Sequence, residues 1–96
     1  MKKIICVDVD GTLNNETCFT EKECLKATPV RKNIRKVNRL YQENFIIIWT
    51  ARRNELISAT LEWLGKCNIR FHAISNCKVP FDVYLDAKGG MDIEDI

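Results

Sequence analysis

The chain has 96 residues, of which 46% are hydrophobic and 29% charged, with a net charge of +2, the size and composition of one small folded domain. Its longest strongly apolar run, residues 45–49, falls well short of the roughly 18 residues that cross a bilayer. The apolar stretch 4–7 breaks at Asp8, too early for a secretory signal core, so neither a membrane-spanning nor an exported chain is expected. Cys6, Cys18, Cys24, Cys67 and Cys77 are odd in number, contain no Cys-x-x-Cys pair and accompany the single His72, a pattern of reduced cytoplasmic thiols rather than a disulfide framework or structural zinc site.

In chain order, residues 3–7 are apolar and β-branched and run into Asp8-Val9-Asp10-Gly11-Thr12, which predicts a buried strand delivering carboxylates at its C-terminal end. Residues 14–27 have no clear period. Thr28 can cap a helix and Pro29 suits its first turn; Val30, Ile34, Val37 and Tyr41 then recur at helical spacing up to about Asn44. Arg31, Lys32, Arg35, Lys36 and Arg39 fall on the opposite face of that helix, where a solvated surface accounts for them better than nucleic acid does. Residues 45–49 predict a second buried strand, followed by Thr50-Ala51-Arg52-Arg53. Asn54 resembles a cap for a helix with Ile57, Leu61 and Leu64 on its apolar stripe, fading near Asn68. A third strand is expected over 70–74 and a fourth over 82–85, ending at Asp86. Alternating strands and helices imply an α/β, Rossmann-like three-layer fold: a mainly parallel sheet of about four strands with helices on both faces. Ligands in such sheets gather beyond the carboxyl ends of the strands, where Asp8, Asp10, Thr50, Lys78 and Asp86 all fall.

The run Asp8-Val9-Asp10-Gly11-Thr12-Leu13 after a hydrophobic strand resembles the signature of the haloacid dehalogenase superfamily. Thr50 after an apolar strand, Lys78 in Lys78-Val79-Pro80-Phe81-Asp82, and Asp86 closing Val83-Tyr84-Leu85 resemble its other elements, in order. The resemblance implies a Mg²⁺-dependent phosphohydrolase in which Asp8 attacks phosphorus and Asp10 serves as general acid and base. It further implies that Thr50 binds a phosphoryl oxygen and that Lys78 neutralises charge. Asp8, Asp86 and the backbone carbonyl of Asp10 would hold the metal. The chemistry calls for such groups, because a carboxylate can approach an anionic phosphate ester only when cations offset their repulsion, and Mg²⁺ takes hard oxygen ligands. Gly11, Thr12, Ala51, Arg52 and Arg53 make up the expected substrate-binding set, with either arginine able to grip an anionic part of the substrate. An EF-hand reading of the Asp-x-Asp-Gly run fails, since 13–21 lack the further ligands at the required spacing.

The acidic residue that often follows the metal-binding aspartate in that superfamily is Ala87 here, leaving Asp86 alone or assisted through water by Asp82 or Asp92. His72, Trp49 and Trp63 are read as packing residues, and Cys18 with Cys24 as a poor metal pair. Neither 14–27 nor 54–68 can hold the cap domain of larger relatives, so an open site is expected unless a second subunit covers it in a homo-oligomer. The compact ending from Lys78 to Asp86 resembles members encoded among polysaccharide and capsule genes, which implies a small phosphorylated substrate such as a sugar or sugar-acid. Nucleic-acid ends, and a weakly catalytic or regulatory module carrying Ala87, are the alternatives.

Overall fold

The computed structural model describes residues 2–77 and 79–87. Within them lie β1 (Ile4–Asp8), α1 (Glu21–Lys26), α2 (Arg31–Leu40), β2 (Phe45–Trp49), a 3₁₀ turn (Asn54–Leu56), α3 (Ile57–Lys66), β3 (Ala73–Ser75) and β4 (Val83–Leu85). The strands form one sheet in the order β3-β2-β1-β4, and every pairing in it is parallel. The expected α/β architecture is therefore present, and no cap accompanies it among the described residues.

Register and alternation divide the sheet into two faces. Ile5 lies opposite Ile46 and Val83, and Val7 opposite Ile48 and Leu85, so these side chains share one face. All of them belong to, or pack against, a single apolar cluster that also takes Cys24 of α1, Ile34 and Val37 of α2, and Ala59, Trp63 and Leu64 of α3. Full burial of each large apolar side chain in such a cluster contributes about 1.5–3 kcal/mol. Ile4, Cys6, Ile47, Trp49 and Tyr84 take the other face and stand outside the cluster. The helices thus lie more one-sidedly than expected. All three described helices feed one face, because among the described residues the crossover from β3 to β4 contains no helix.

Several boundaries differ from the sequence reading, each for a local reason. Thr28 and Pro29 do not open α2. Pro29 forms an antiparallel bridge with Asn14 and the Val30 N–H donates to the Leu13 carbonyl at 2.8 Å. This extended stretch, which a proline favours at the residue before it, delays the helix to Arg31. Asn54 does not cap the next helix either: it opens a 3₁₀ turn whose N-cap is Arg53, Leu56 stands at the N-cap of α3, and the Asn54 side chain accepts from Asn76 Nδ2. Residues 70–72 stay outside β3, where side chains take up part of the backbone pairing although the His72 N–H still donates to the Ile46 carbonyl at 2.9 Å. Asn38 Oδ1 accepts from the Arg70 N–H, and His72 Nδ1 accepts from the Ile46 N–H at 3.0 Å. His72 is stacked between Tyr41 and Phe45, with centroids at 4.4 and 4.8 Å, so it is a packing residue as expected. Within 14–27, α1 carries a full capping box in which Thr20 and Glu23 satisfy each other's backbone N–H.

α3 ends where expected, and its ending is specified. Asn68 adopts a left-handed φ of 57°, its N–H donating to the Gly65 carbonyl while that of Ile69 donates to Leu64, the paired bonds of a Schellman stop. Among the described residues no helix is long and apolar enough to cross a membrane.

Candidate active site

The Val7–Leu85 pairing brings Asp8 and Asp86, the next residue of each chain segment, to the same edge of the sheet, and alternation points both toward the face of Tyr84. Tyr84 reports on both: its hydroxyl donates to Asp86 Oδ2 at 3.1 Å. Its pKa is raised far above the usual phenol range, first by burial and then by the charges of Asp8 and Asp86. Thr12 fastens this corner. Its buried hydroxyl accepts from the Ala87 N–H at 3.0 Å, tying the turn after β1 to the segment after β4.

The turn itself winds around one oxygen. The Val9 carbonyl accepts from the N–H groups of Thr12, Leu13 and Asn14 at 3.2, 2.9 and 3.2 Å, which requires the left-handed φ of 83° at Gly11, a conformation glycine adopts without steric penalty. Fully buried Asn14 completes the turn: its Oδ1 accepts from the Gly11 N–H at 2.9 Å and its Nδ2 donates to Asp10 Oδ1 at 3.1 Å. Asn33 Nδ2 donates to the Thr12 carbonyl at 2.8 Å, anchoring the loop to α2.

Asp10 is gripped from the other side by Arg52, whose Nη2 donates to Oδ1 at 2.6 Å and whose Nε donates to Oδ2 at 3.2 Å. The Arg52 side chain is only 2% exposed. Burial opposes its charge, but the hydrogen bonds and charge of Asp10 prevail and raise its pKa. Its remaining arm, Nη1, donates to Thr60 Oγ1 at 2.8 Å, and that hydroxyl donates to the Leu56 carbonyl at 2.7 Å. The two expected substrate arginines therefore part company: Arg52 is committed to Asp10, whereas Arg53 is 71% exposed and forms a long ion pair with Glu55, at 3.9 Å. Thr50 is buried. Its hydroxyl accepts from the Arg52 N–H at 3.1 Å, which leaves the hydroxyl hydrogen for a donation of its own. Ala51 is exposed beside it.

Lys78 and Asp92 lie outside the described residues. Asp82 sits at the opposite end of the sheet from Asp8 and Asp86: its carboxylate accepts from the Ile4 N–H at 2.6 Å, where β1 begins, so it does not assist Asp86. Among the described residues no group of three or more His, Cys, Asp or Glu side chains could hold a metal. Two carboxylates and a backbone carbonyl nevertheless fit Mg²⁺, which is commonly held by one or two carboxylates, with waters and substrate oxygens completing the octahedron. Cys18 and Cys24 are buried, and burial is the main cause pushing the Cys18 thiol to about 11 and that of Cys24 upward, the opposite of what metal-binding thiolates need. Trp63 packs, its indole N–H donating to the Ala27 carbonyl. Trp49 Nε1 donates to the Cys77 carbonyl.

Sequence reading missed Asn14, Asn33 and Thr60. Asn14 had one visible signal, an amide side chain three residues beyond a turn glycine. Thr60 had none, because only the fold brings it beneath Arg52.

No protein-family model matches the chain, and no curated protein matches it. Solved structures do. A conserved protein of Bacteroides thetaiotaomicron superposes with a TM-score of 0.74 at 20% identity, covering 99% of this chain and 86% of that one. Chains of two structures of the Pnkp1/Rnl/Hen1 complex, one described as an RNA repair complex, superpose with TM-scores of 0.66 and 0.65 at 18% identity. This chain spans 28% and 30% of their lengths. At these identities the likeness establishes a shared fold.

Proposed function

We propose that the protein is a magnesium-dependent phosphohydrolase that cleaves a phosphate monoester through a phosphoaspartate on Asp8. The observation that carries this reading is the convergence at one sheet edge of two carboxylates on adjacent strand ends, Asp8 and Asp86, with a third, Asp10, clamped on the turn between them and Arg52. In the first half-reaction an Asp8 oxygen forms a bond to phosphorus as the ester P–O bond breaks, and Asp10 gives its proton to the departing alkoxide. In the second, Asp10 takes a proton from water while the water oxygen attacks the phosphoaspartate, releasing inorganic phosphate and restoring both carboxyl groups. Asp8, Asp86 and the Asp10 carbonyl would hold Mg²⁺, which supplies the positive charge that lets two anions approach. The Thr50 hydroxyl donates to a phosphoryl oxygen, and Lys78, by resemblance, adds a second cation. Arg52 and Asn14 fix the position of the Asp10 side chain, and a proton-transfer group must be held within hydrogen-bond reach of its target.

Sugar and sugar-acid phosphates head the substrate panel by resemblance. Nucleotides and strand-end phosphates stand beside them as the alternative, a choice supported by the fold shared with a chain of an RNA repair complex. The reading is tested with p-nitrophenyl phosphate in Mg²⁺ and then in EDTA. Turnover that needs the metal and disappears in Asp8→Asn is expected; equal turnover in the variant would overturn it.

A further inference from the structure

We propose that the cavity beside Asp10 receives the alcohol portion of the substrate and is built for a nucleobase, an inference that rests on the phosphohydrolase reading. The cavity, about 340 Å³, is lined by Asp10, Cys18, Phe19, Ala51, Arg53 and Leu56 among others, a size within the usual range of small-molecule sites. Asp10 protonates the leaving oxygen, so the group attached to that oxygen continues from Asp10 into this space.

Its walls select the group. Phe19 is 68% exposed, yet it is held in place: its backbone N–H donates to Glu23 Oε1 at 3.0 Å, within the capping box that starts α1. A single exposed phenylalanine is ordinary. This one shares its cavity with the exposed guanidinium of Arg53, whose ion pair with Glu55 is long, at 3.9 Å. Aromatic rings and guanidinium planes are the two surfaces on which nucleobases stack. A bare sugar gains less there, since Asp10 and Arg52 are bonded to each other and Phe19, Ala51 and Leu56 offer its hydroxyl groups no hydrogen bonds.

The test is a matched comparison in Mg²⁺ of adenosine 5′- and 3′-monophosphate with ribose 5-phosphate, which shares the primary ester of the former but lacks the base. The better nucleotide is expected to exceed ribose 5-phosphate by about tenfold in kcat/KM, inside the roughly 5- to 150-fold that one base–aromatic stack supplies. Phe19→Ala should raise the nucleotide KM to the level of the sugar phosphate with kcat unchanged, and Arg53→Gln should raise it part of the way. The alanine variant keeps the backbone donor of the cap. A 5′-phosphorylated oligonucleotide distinguishes a strand end from a free nucleotide, the recognising chemistry being shared. Equal turnover of nucleotide and sugar phosphate, unaffected by Phe19→Ala, would overturn the nucleobase subsite and leave the phosphohydrolase reading standing. Absence of metal-dependent turnover for every ester would overturn both.

Discussion

Asp8 and Asp10 are the same residue two positions apart, yet their surroundings give them different consequences when changed. Asp10 neutralises a buried arginine, and removing one partner of a buried ion pair costs about 3–5 kcal/mol. For a domain of this size each kcal/mol moves Tm by about 4–8 °C. Asp10→Ala is therefore expected to lose at least about 10 °C by thermal unfolding as well as nearly all activity. Asp8→Asn should be inactive with Tm within a few degrees of the parent, and a large loss there would show Asp8 to be structural. Thiol reactivity follows the same local logic. Cys77 is exposed while Cys6, Cys18, Cys24 and Cys67 are buried, and burial pushes the pKa of each buried thiol up. A disulfide reagent at neutral pH is expected to label one cysteine per folded chain quickly and the other four only on unfolding. Two fast thiols would contradict this burial.

At the scale of elements, α1 depends on its ends because a six-residue helix is too short to hold itself together in water. Thr20→Ala removes the cap that accepts from the Glu23 N–H and should destabilise the fold by about 1 kcal/mol, measurable by denaturant unfolding. Hydrogen bonds from the Phe19 N–H, the Thr20 hydroxyl and the Thr20 N–H lower the Glu23 pKa below its ordinary 4.5. Its contribution is thus complete above pH 4.5 and lost as pH falls through the lower folded value. Amide exchange in α1 should accelerate over that acid range in the parent and far less in Glu23→Gln; identical profiles would remove the carboxylate from the cap. The Thr20-x-x-Glu23 spacing is that of a capping box, but without an apolar period in so short a helix α1 was not expected. The β2 strand was readable residue for residue because its continuous apolar run has one interpretation in a parallel sheet. β3 was not, because the side chains of His72 and Asn38 accept from the Ile46 and Arg70 N–H groups, long-range pairings that no local pattern records.

For the whole molecule, the parallel four-stranded sheet and the placement of Asp8, Asp10, Thr50 and Asp86 beyond strand ends followed from alternating strand and helix periods and the rule that parallel sheets gather ligands there. The one-sided distribution of helices did not follow. Periodicity reveals that a helix has an apolar face but not which side of the sheet receives it, and the crossover between β3 and β4 carries too few residues to add another layer. The separation of Arg52 from Arg53 was equally hidden, since adjacent residues of one type differ only in what the fold puts beneath them. The central claim concerns a covalent bond, and acid-quenched single turnover followed by peptide mass mapping tests it most directly. With a hydrolysable phosphate ester and Mg²⁺, one phosphoryl group is expected on the peptide containing Asp8, absent in EDTA and in Asp8→Asn. Rapid metal-dependent turnover that never labels Asp8 at any quench time, with Asp8→Asn retaining parental rates, would contradict the account.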